Sequence, residues 1–370
     1  MAREFGVSRS TVQYWCTRAS GKRLDRVDWE TQQPIPHRTT RTRREMEDKI
    51  LALRKELRED SVLGEYSALA IRDELVRERA DGVPSVRTIG RILKRRGALD
   101  RPRKVRHPSP PRGWYLPDVA CCEAELDSFD VVEGLVIEGG IDVQVLNGIS
   151  LHGCFAASWP LPSVTAKVTV EKLTEHWQEY GLPGYAQFDN DTRFQGAHQH
   201  KDSFSRVVRL CLSLEVTPVF APVCEHGFQA QIESYNGLWQ SRVWSRYHHG
   251  DIPQLMGRSQ LYVKAHRART AGKREAAPAR EEFPVAWKLD LQAPLRGRVI
   301  FLRRTDATGE VFLLGRRFSV SHVWPHRLVR CEVNLDESKI FFFTLRRRKP
   351  DDHDLVKTIR YTPPTRPFAE

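Results

Sequence analysis

Cysteine is scarce in this chain and is not arranged for metal binding or cross-linking. The seven cysteines, Cys16, Cys121, Cys122, Cys154, Cys211, Cys224 and Cys331, are an odd number and contain no C-x-x-C pair. That excludes a zinc knuckle and a disulfide framework, and it favours a reducing compartment. No apolar run approaches the ~18 residues a membrane span needs. The opening, MAREFGVSRS, lacks the apolar stretch of a secretory signal. The expectation is a soluble, cytoplasmic chain with no membrane partner. Hydrophobic residues at 40% and charged residues at 29% exclude wholesale disorder, and 370 residues predict two or three domains.

Positive charge is abundant but uneven. The net charge is +12, and residues 1–113 hold 27 basic and 16 acidic side chains, against 32 and 31 in the rest. Nearly all the excess is N-terminal, as for a polyanion-binding arm in front of a near-neutral body. A merely solubilising tail is the bland alternative, and helical order in this segment argues against it.

The order comes in two units. In residues 1–35, Gly6 marks a turn, and Ser8 is placed to cap a helix carrying Val12 and Trp15, the second half of a helix-turn-helix. The first half is short, so a late start of the sequence is one expectation. Residues 36–100 predict a complete unit. Met46, Ile50, Leu53 and Leu57 line one helix, and Ala68, Ile71 and Leu75 a second. Gly82, Pro84 and Ser85 then turn the chain into a third, lined by Val86, Ile89 and Leu93 and ended by Gly97. Arg87, Arg91, Lys94 and Arg95 share its outer face, a phosphate- and base-contacting array rather than an idle solvated face. Residues 101–118 hold five prolines and five Lys/Arg, an extended linker whose Arg103, Lys104 and Arg106 can track a DNA backbone.

From residue 119 strands alternate with helices. Leu126–Phe129, Ile137–Val145 and His152–Ser158 read as an antiparallel meander. Ser163 is placed to cap a helix bearing Val170, Leu173 and Trp177, and Gly181 and Pro183 close it. The strand Tyr185–Phe188 runs into Asp189-Asn190-Asp191. A helix over 204–214 and the strand Thr217–Phe220 follow. In the last helix Phe228, Ile232, Tyr235, Trp239 and Val243 form the core stripe, with Gln229, Glu233, Asn236 and Gln240 beside it. Glu233 is the only carboxylate of that polar stripe, placed to aim at the end of the Asp189 strand. Asp142 reads as a turn residue, and loop histidines His198 and His200, without a third ligand, are not read as a metal site.

ELDSFDVV, QFDNDTRF and APVCEHGFQAQIESYNGLW resemble the three signatures of the integrase catalytic core of bacterial insertion-sequence DDE transposases, in the retroviral-integrase superfamily. The resemblance spans roughly 120–245. It implies an RNase H-like α/β core with three carboxylates binding two Mg²⁺ ions (Mn²⁺ can substitute): Asp127 first, with Asp130 competing for the same role, then Asp189, then Glu233. It also implies metal-dependent DNA cleavage and strand transfer on transposon ends and target DNA by a homo-oligomer associated with the nucleoid. Two hard ions can activate the attacking oxygen and stabilise the leaving oxygen of an in-line displacement, so no protein nucleophile is required. The interval from Asp189 to Glu233 holds 43 residues, more than is usual, with the excess around 195–201. Gln240 stands where such proteins often carry a cation, so DNA contact from this helix is expected of Asn236 and Arg242.

A basic helical connector, 246–289, precedes short strands at 298–304, 310–320, 328–335 and 339–345. These predict a five-stranded SH3-like barrel over 290–362. The expected architecture is thus multidomain α+β: helix-turn-helix units, an RNase H-like core at 119–245 and a small C-terminal β-barrel. Two rivals remain open: a truncated or domesticated DNA-binding relic that does not cut, and an RNase H-like nuclease that only hydrolyses.

Overall fold

Short polar side chains start the N-terminal helices, because a Ser hydroxyl can accept from an otherwise unpaired N–H of the first turn. In the computed structural model, residues 2, 4–30, 42–61, 65–99, 112–196, 200–223, 225, 227–347, 353–364 and 367–368 are described. Ser8 caps α1 (Arg9–Ala19) by accepting from Thr11 N. After α2 (Arg44–Asp60), Ser67 and Ser85 cap α3 (Ala68–Arg77) and α4 (Val86–Arg95) in the same way. Ile50, Leu53, Ile71, Leu75, Ile89, Ile92 and Leu93 close a small core of their own between α2, α3 and α4, as the periodicity predicts.

After α5 (Pro117–Ala120), β1 (Leu126–Ile137), β2 (Ile141–Ser150) and β3 (Ala156–Leu161) form the antiparallel meander. Next come α6 (Ala166–Tyr180), β4 (Tyr185–Phe188), α7 (Thr192–Gln195), α8 (Arg206–Ser213) and β5 (Thr217–Phe220). Thr165, not Ser163, caps α6 by accepting from Val168 N, since Val164 between them is drawn into the core. At the other end Gly181 stops the helix at φ +82°, and a Cβ there would meet the Glu281 carbonyl at 2.8 Å. That glycine lets the 280–281 segment lie against the core, where Leu182 and Glu281 exchange backbone hydrogen bonds. α9 (Ala230–Trp239) continues into a π-helical turn, Gln240–Trp244, before α10 (Ile252–Arg269) and α11 (Ala271–Glu275).

The C-terminal strands are β6 (Arg298–Arg304), β7 (Glu310–Leu313), β8 (Arg316–Ser319), β9 (Leu328–Asn334), β10 (Lys339–Thr344) and β11 (Leu355–Arg360). Among the described residues, one mixed sheet of nine strands runs β11-β10-β9-β6-β5-β4-β1-β2-β3, with β7-β8 as a separate hairpin. Strands β1, β4 and β5 are parallel, with the β2–β3 hairpin antiparallel on one side, consistent with an RNase H-like core. The C-terminal strands expected to close a barrel are joined to this sheet. β6 pairs in parallel with β5, so the sheet crosses the expected boundary at 290 without a break. The reason is apolar: β5 has no other partner on that side, and Phe220 and Phe301 stack at 5.2 Å across the junction.

Candidate functional site

Strand periodicity decides the site. Successive side chains on a strand point to opposite faces, so Asp127 and Asp130, three residues apart on β1, cannot share one. Phe129, between them, joins Trp177 and Phe188 in the core on the α6 side, whereas Val132 joins Ile232, Tyr235 and Trp239 of α9. Asp127 therefore lies on the α6 face and Asp130 on the α9 face. On β4, Ala186 and Phe188 go to the α6 side. Gln187 goes to the other, accepting from Ser128 Oγ at 3.1 Å and donating to the Tyr115 hydroxyl at 2.8 Å. Asp189 follows on the face of Gln187. The register pairs Ser128 with Gln187, and Asp130 and Asp189 each follow two residues on.

Asp127 is buried and fully engaged. Arg280 donates to its two oxygens at 2.9 and 2.6 Å, and the Trp177 indole N–H donates at 3.2 Å. Burial raises its proton affinity, but the Arg280 charge and hydrogen bonds more than offset this and hold the carboxyl below the usual range. Asp127 is an anchor for the 280 segment, beneath the sheet from Glu233. The ligand role expected of it does not match this geometry.

Asp130 is the β1 carboxylate on the α9 face. Burial pushes its carboxyl up to about 6, and the like charges of Asp189 and Glu233 add to the rise. The Val131 N–H and the Asn236 side-chain amide oppose it, donating at 2.9 and 2.6 Å. Asp189 is raised as well, chiefly by burial. Its Oδ1 accepts from Asp191 N at 3.0 Å, and Asn190 ties the turn to β5 by donating to the Ala221 carbonyl at 2.6 Å. Asp191 caps α7 and pairs with Arg193, which reaches on to Glu133 at 2.8 Å. That arrangement explains why Asp191 and Asp189 have different jobs. Glu233 is exposed near the start of α9.

Asn236, expected on the DNA-facing stripe, is turned inward at 8% exposure. It donates to Asp130 and accepts from the Asn147 amide at 2.9 Å, linking the helix of Glu233 to β1 and β2. Arg242 sits in the π-helical turn with its guanidinium 5.8 Å from the centre of the Tyr66 ring. Arg87, Arg91 and Lys94 are exposed on α4. Arg95 is engaged instead by Glu47, a buried carboxylate that also takes Arg96. Arg103, Lys104, Arg106 and His198 lie outside the described residues. Sequence reasoning missed Arg280 and Asn147, because nothing local marks a partner 153 or 89 residues distant. Counting strand parity separates Asp127 from Asp130, but only the packed helix tells which parity faces Glu233.

The donors at this site are hard oxygens, the kind a divalent cation such as Mg²⁺ takes, and the Asp130 carboxyl is raised first by burial and then by the neighbouring Asp189 charge. Among the described residues, no three His, Cys, Asp or Glu side chains are close enough as placed to share one ion. An ion held here would rest on Asp130 and Asp189, with the remainder of its shell from water or substrate oxygens. No helix among the described residues is long and apolar enough to cross a membrane.

No protein-family model matches the chain, and no curated protein matches it. Among solved structures, it is similar to the catalytic core domain of BIV integrase at a TM-score of 0.30 and 16% identity, over 38% of this chain and 81% of that one. It is also similar to the simian T-cell lymphotropic virus intasome in complex with PP2A regulatory subunit B56 gamma, at a TM-score of 0.34 and 10% identity, over 72% and 88% of the two chains.

Proposed function

We propose that this chain is a DNA-cutting and DNA-joining polynucleotidyl transferase of the insertion-sequence DDE-transposase kind, with Asp130, Asp189 and Glu233 as its acidic trio. The observation that carries the reading is that Asp130 lies on the α9 face of β1, beside the parallel strand that leads into Asp189, and is held at 2.6 Å by Asn236 of the helix that carries Glu233. Asp130 and Asp189 would hold divalent ions, two per site in this reading, with Glu233 completing the set from α9. When bound, the metal supplies Lewis-acid charge for phosphoryl oxygens. The chain's own part is positioning. Asn236 fixes the Asp130 carboxylate and spaces α9 from β1, while Asn190 and the Asp191 cap fix the turn that carries Asp189. The exposed Arg87, Arg91 and Lys94 on α4 are the recognition face of a helix-turn-helix bound to double-stranded DNA, and the working form is a homo-oligomer that pairs two DNA ends.

The test is a Mg²⁺- or Mn²⁺-dependent cleavage and strand-transfer assay on the DNA flanking the gene, with Asp130→Asn, Asp189→Asn and Glu233→Gln beside the wild type. Joined products that need metal and vanish in all three variants support the reading. Cleavage without joining indicates a hydrolytic nuclease. A DNA-binding relic is the other rival, and metal-independent binding with no cut product is its signature.

A further inference from the structure

A cleft of about 640 Å³ lies where the three-helix unit meets α9, α10 and α11, on a side of α9 that does not carry Glu233. Its floor includes Ser234 and Leu238 of α9. Its walls bring cations from four separate elements: Arg54 of α2, Arg242 of the π-helical turn, Arg269 of α10 and Lys273 of α11. Glu65 is the one carboxylate lining it among the described residues. It is paired, with Asp73, to Arg269. Arg242 and Lys273 have no carboxylate partner among the described residues, and the buried Nε of Arg242 and Nδ1 of His266 have no hydrogen-bond partner. Arg54 and Arg242 both lie over the Tyr66 ring, at 4.7 and 5.8 Å. His266 is pushed down to about 4 by burial, against the pull of Glu65 and with Lys273 and two arginines adding to the fall. Cations held this close, with donors left unmade, are matched by an anion presenting several oxygens. A π-helical turn at Arg242, a device frequent at functional sites, is an independent pointer to the same place.

We propose that this cleft docks a phosphodiester of the DNA backbone as it crosses α9, a contact separate from the α4 face; the inference rests on the DNA-binding reading above. A single phosphate here clamps the three-helix unit to the catalytic helix, so occupancy of the cleft couples end recognition to the acidic site.

The test measures binding of fluorescent duplex DNA by the full chain across a salt series, for wild type and for Arg242→Gln/Lys273→Gln. Each phosphate contact contributes roughly 0.9 to the slope of log affinity against log salt. The double variant is expected to lose about one unit of that slope, with α4 intact. A wild type that binds with an unchanged slope in the variant overturns this inference alone, whereas a wild type that shows no salt-dependent DNA binding overturns the functional reading. Should the variant misfold, halogenated-DNA photocrosslinking of the wild type decides the matter. Adducts within 240–246 or 266–274 support the cleft, and adducts confined to α4 overturn it.

Discussion

Replacing Asp127 by Asn and, separately, Asp130 by Asn should have opposite consequences for stability and activity. Asp127→Asn keeps the shape and retains an oxygen for Trp177, so no cavity forms. It leaves the Arg280 guanidinium, only 17% exposed, facing a neutral amide. Two unit charges at about 4 Å interact by about 4 kcal/mol at an effective dielectric of 20. Breaking one side of a buried pair costs about 3–5 kcal/mol, so the two arguments agree. The two carbonyl contacts from Arg280 to Gly181 persist and do not replace the charge. Asp130→Asn removes a carboxylate held against burial and against two like charges, and is expected to leave stability unchanged or raise it. Urea unfolding followed by Trp fluorescence, beside the metal-dependent assay, reads both. Asp127→Asn should lose stability and retain substantial activity in the folded fraction. Asp130→Asn should stay folded and lose activity on the order of 10²–10³-fold, as removal of a preorganised electrostatic group does elsewhere. A stable, inactive Asp127→Asn beside an active Asp130→Asn would refute the assignment. The double variant Asp127→Asn/Arg280→Met, in which neither charge is left unpaired, should recover most of the loss.

Because the Asp127 carboxyl is held below its unfolded value, its contribution is present above the ordinary carboxylate range and is lost as pH falls through it. The acid limb of a stability–pH profile should therefore be steeper in wild type than in Asp127→Asn. Asn236→Ala removes the tether between α9 and Asp130 and is expected to lower activity by about 10–100-fold, the range for groups that orient metal ligands. Asn236→Gln, which can reach the same oxygen, should rescue part of it, whereas a purely structural role would make both variants equally unstable in a melt. A fragment ending at residue 289 leaves β5 as an unpaired edge and strips Val299, Phe301, Val329 and Val333 from the main core. Size-exclusion chromatography should find it aggregated, and a well-behaved monomer would show that the core stands without β6. Glu47→Gln should destabilise the three-helix unit and free Arg95, visible as a steeper salt dependence of DNA binding.

The N-terminal helices were legible from local pattern alone. Met46 to Leu57 and Val86 to Leu93 repeat at helical spacing, and Ser8 and Ser85 mark starts that the structure uses. The strands Tyr185–Phe188, Thr217–Phe220 and Arg298–Arg304 were read at their observed bounds, because short apolar runs between polar turns leave little choice. The pattern of 310–320 predicts one strand, and the segment is a hairpin, β7 and β8. Leu314 and Gly315 both take positive φ there, and a Leu in that conformation gives no warning.

Residue order and composition determined the basic N-terminal arm, the alternation of strands and helices, and the presence of acids at strand ends and on the last helix of the core. Those are properties of neighbours within a few positions, and period and charge record them. Which acid faces which was decided only in three dimensions. Asp127 and Asp130 sit in the same stretch with the same chemistry, and their roles diverge because α6 covers one face of β1 and α9 the other. The Arg280 that claims Asp127, and the β6 that extends the core sheet beyond β5, arrive from far along the chain. Pairings of that kind are set by which buried edges and charges are left to satisfy once the layers have packed, and no local pattern carries that information.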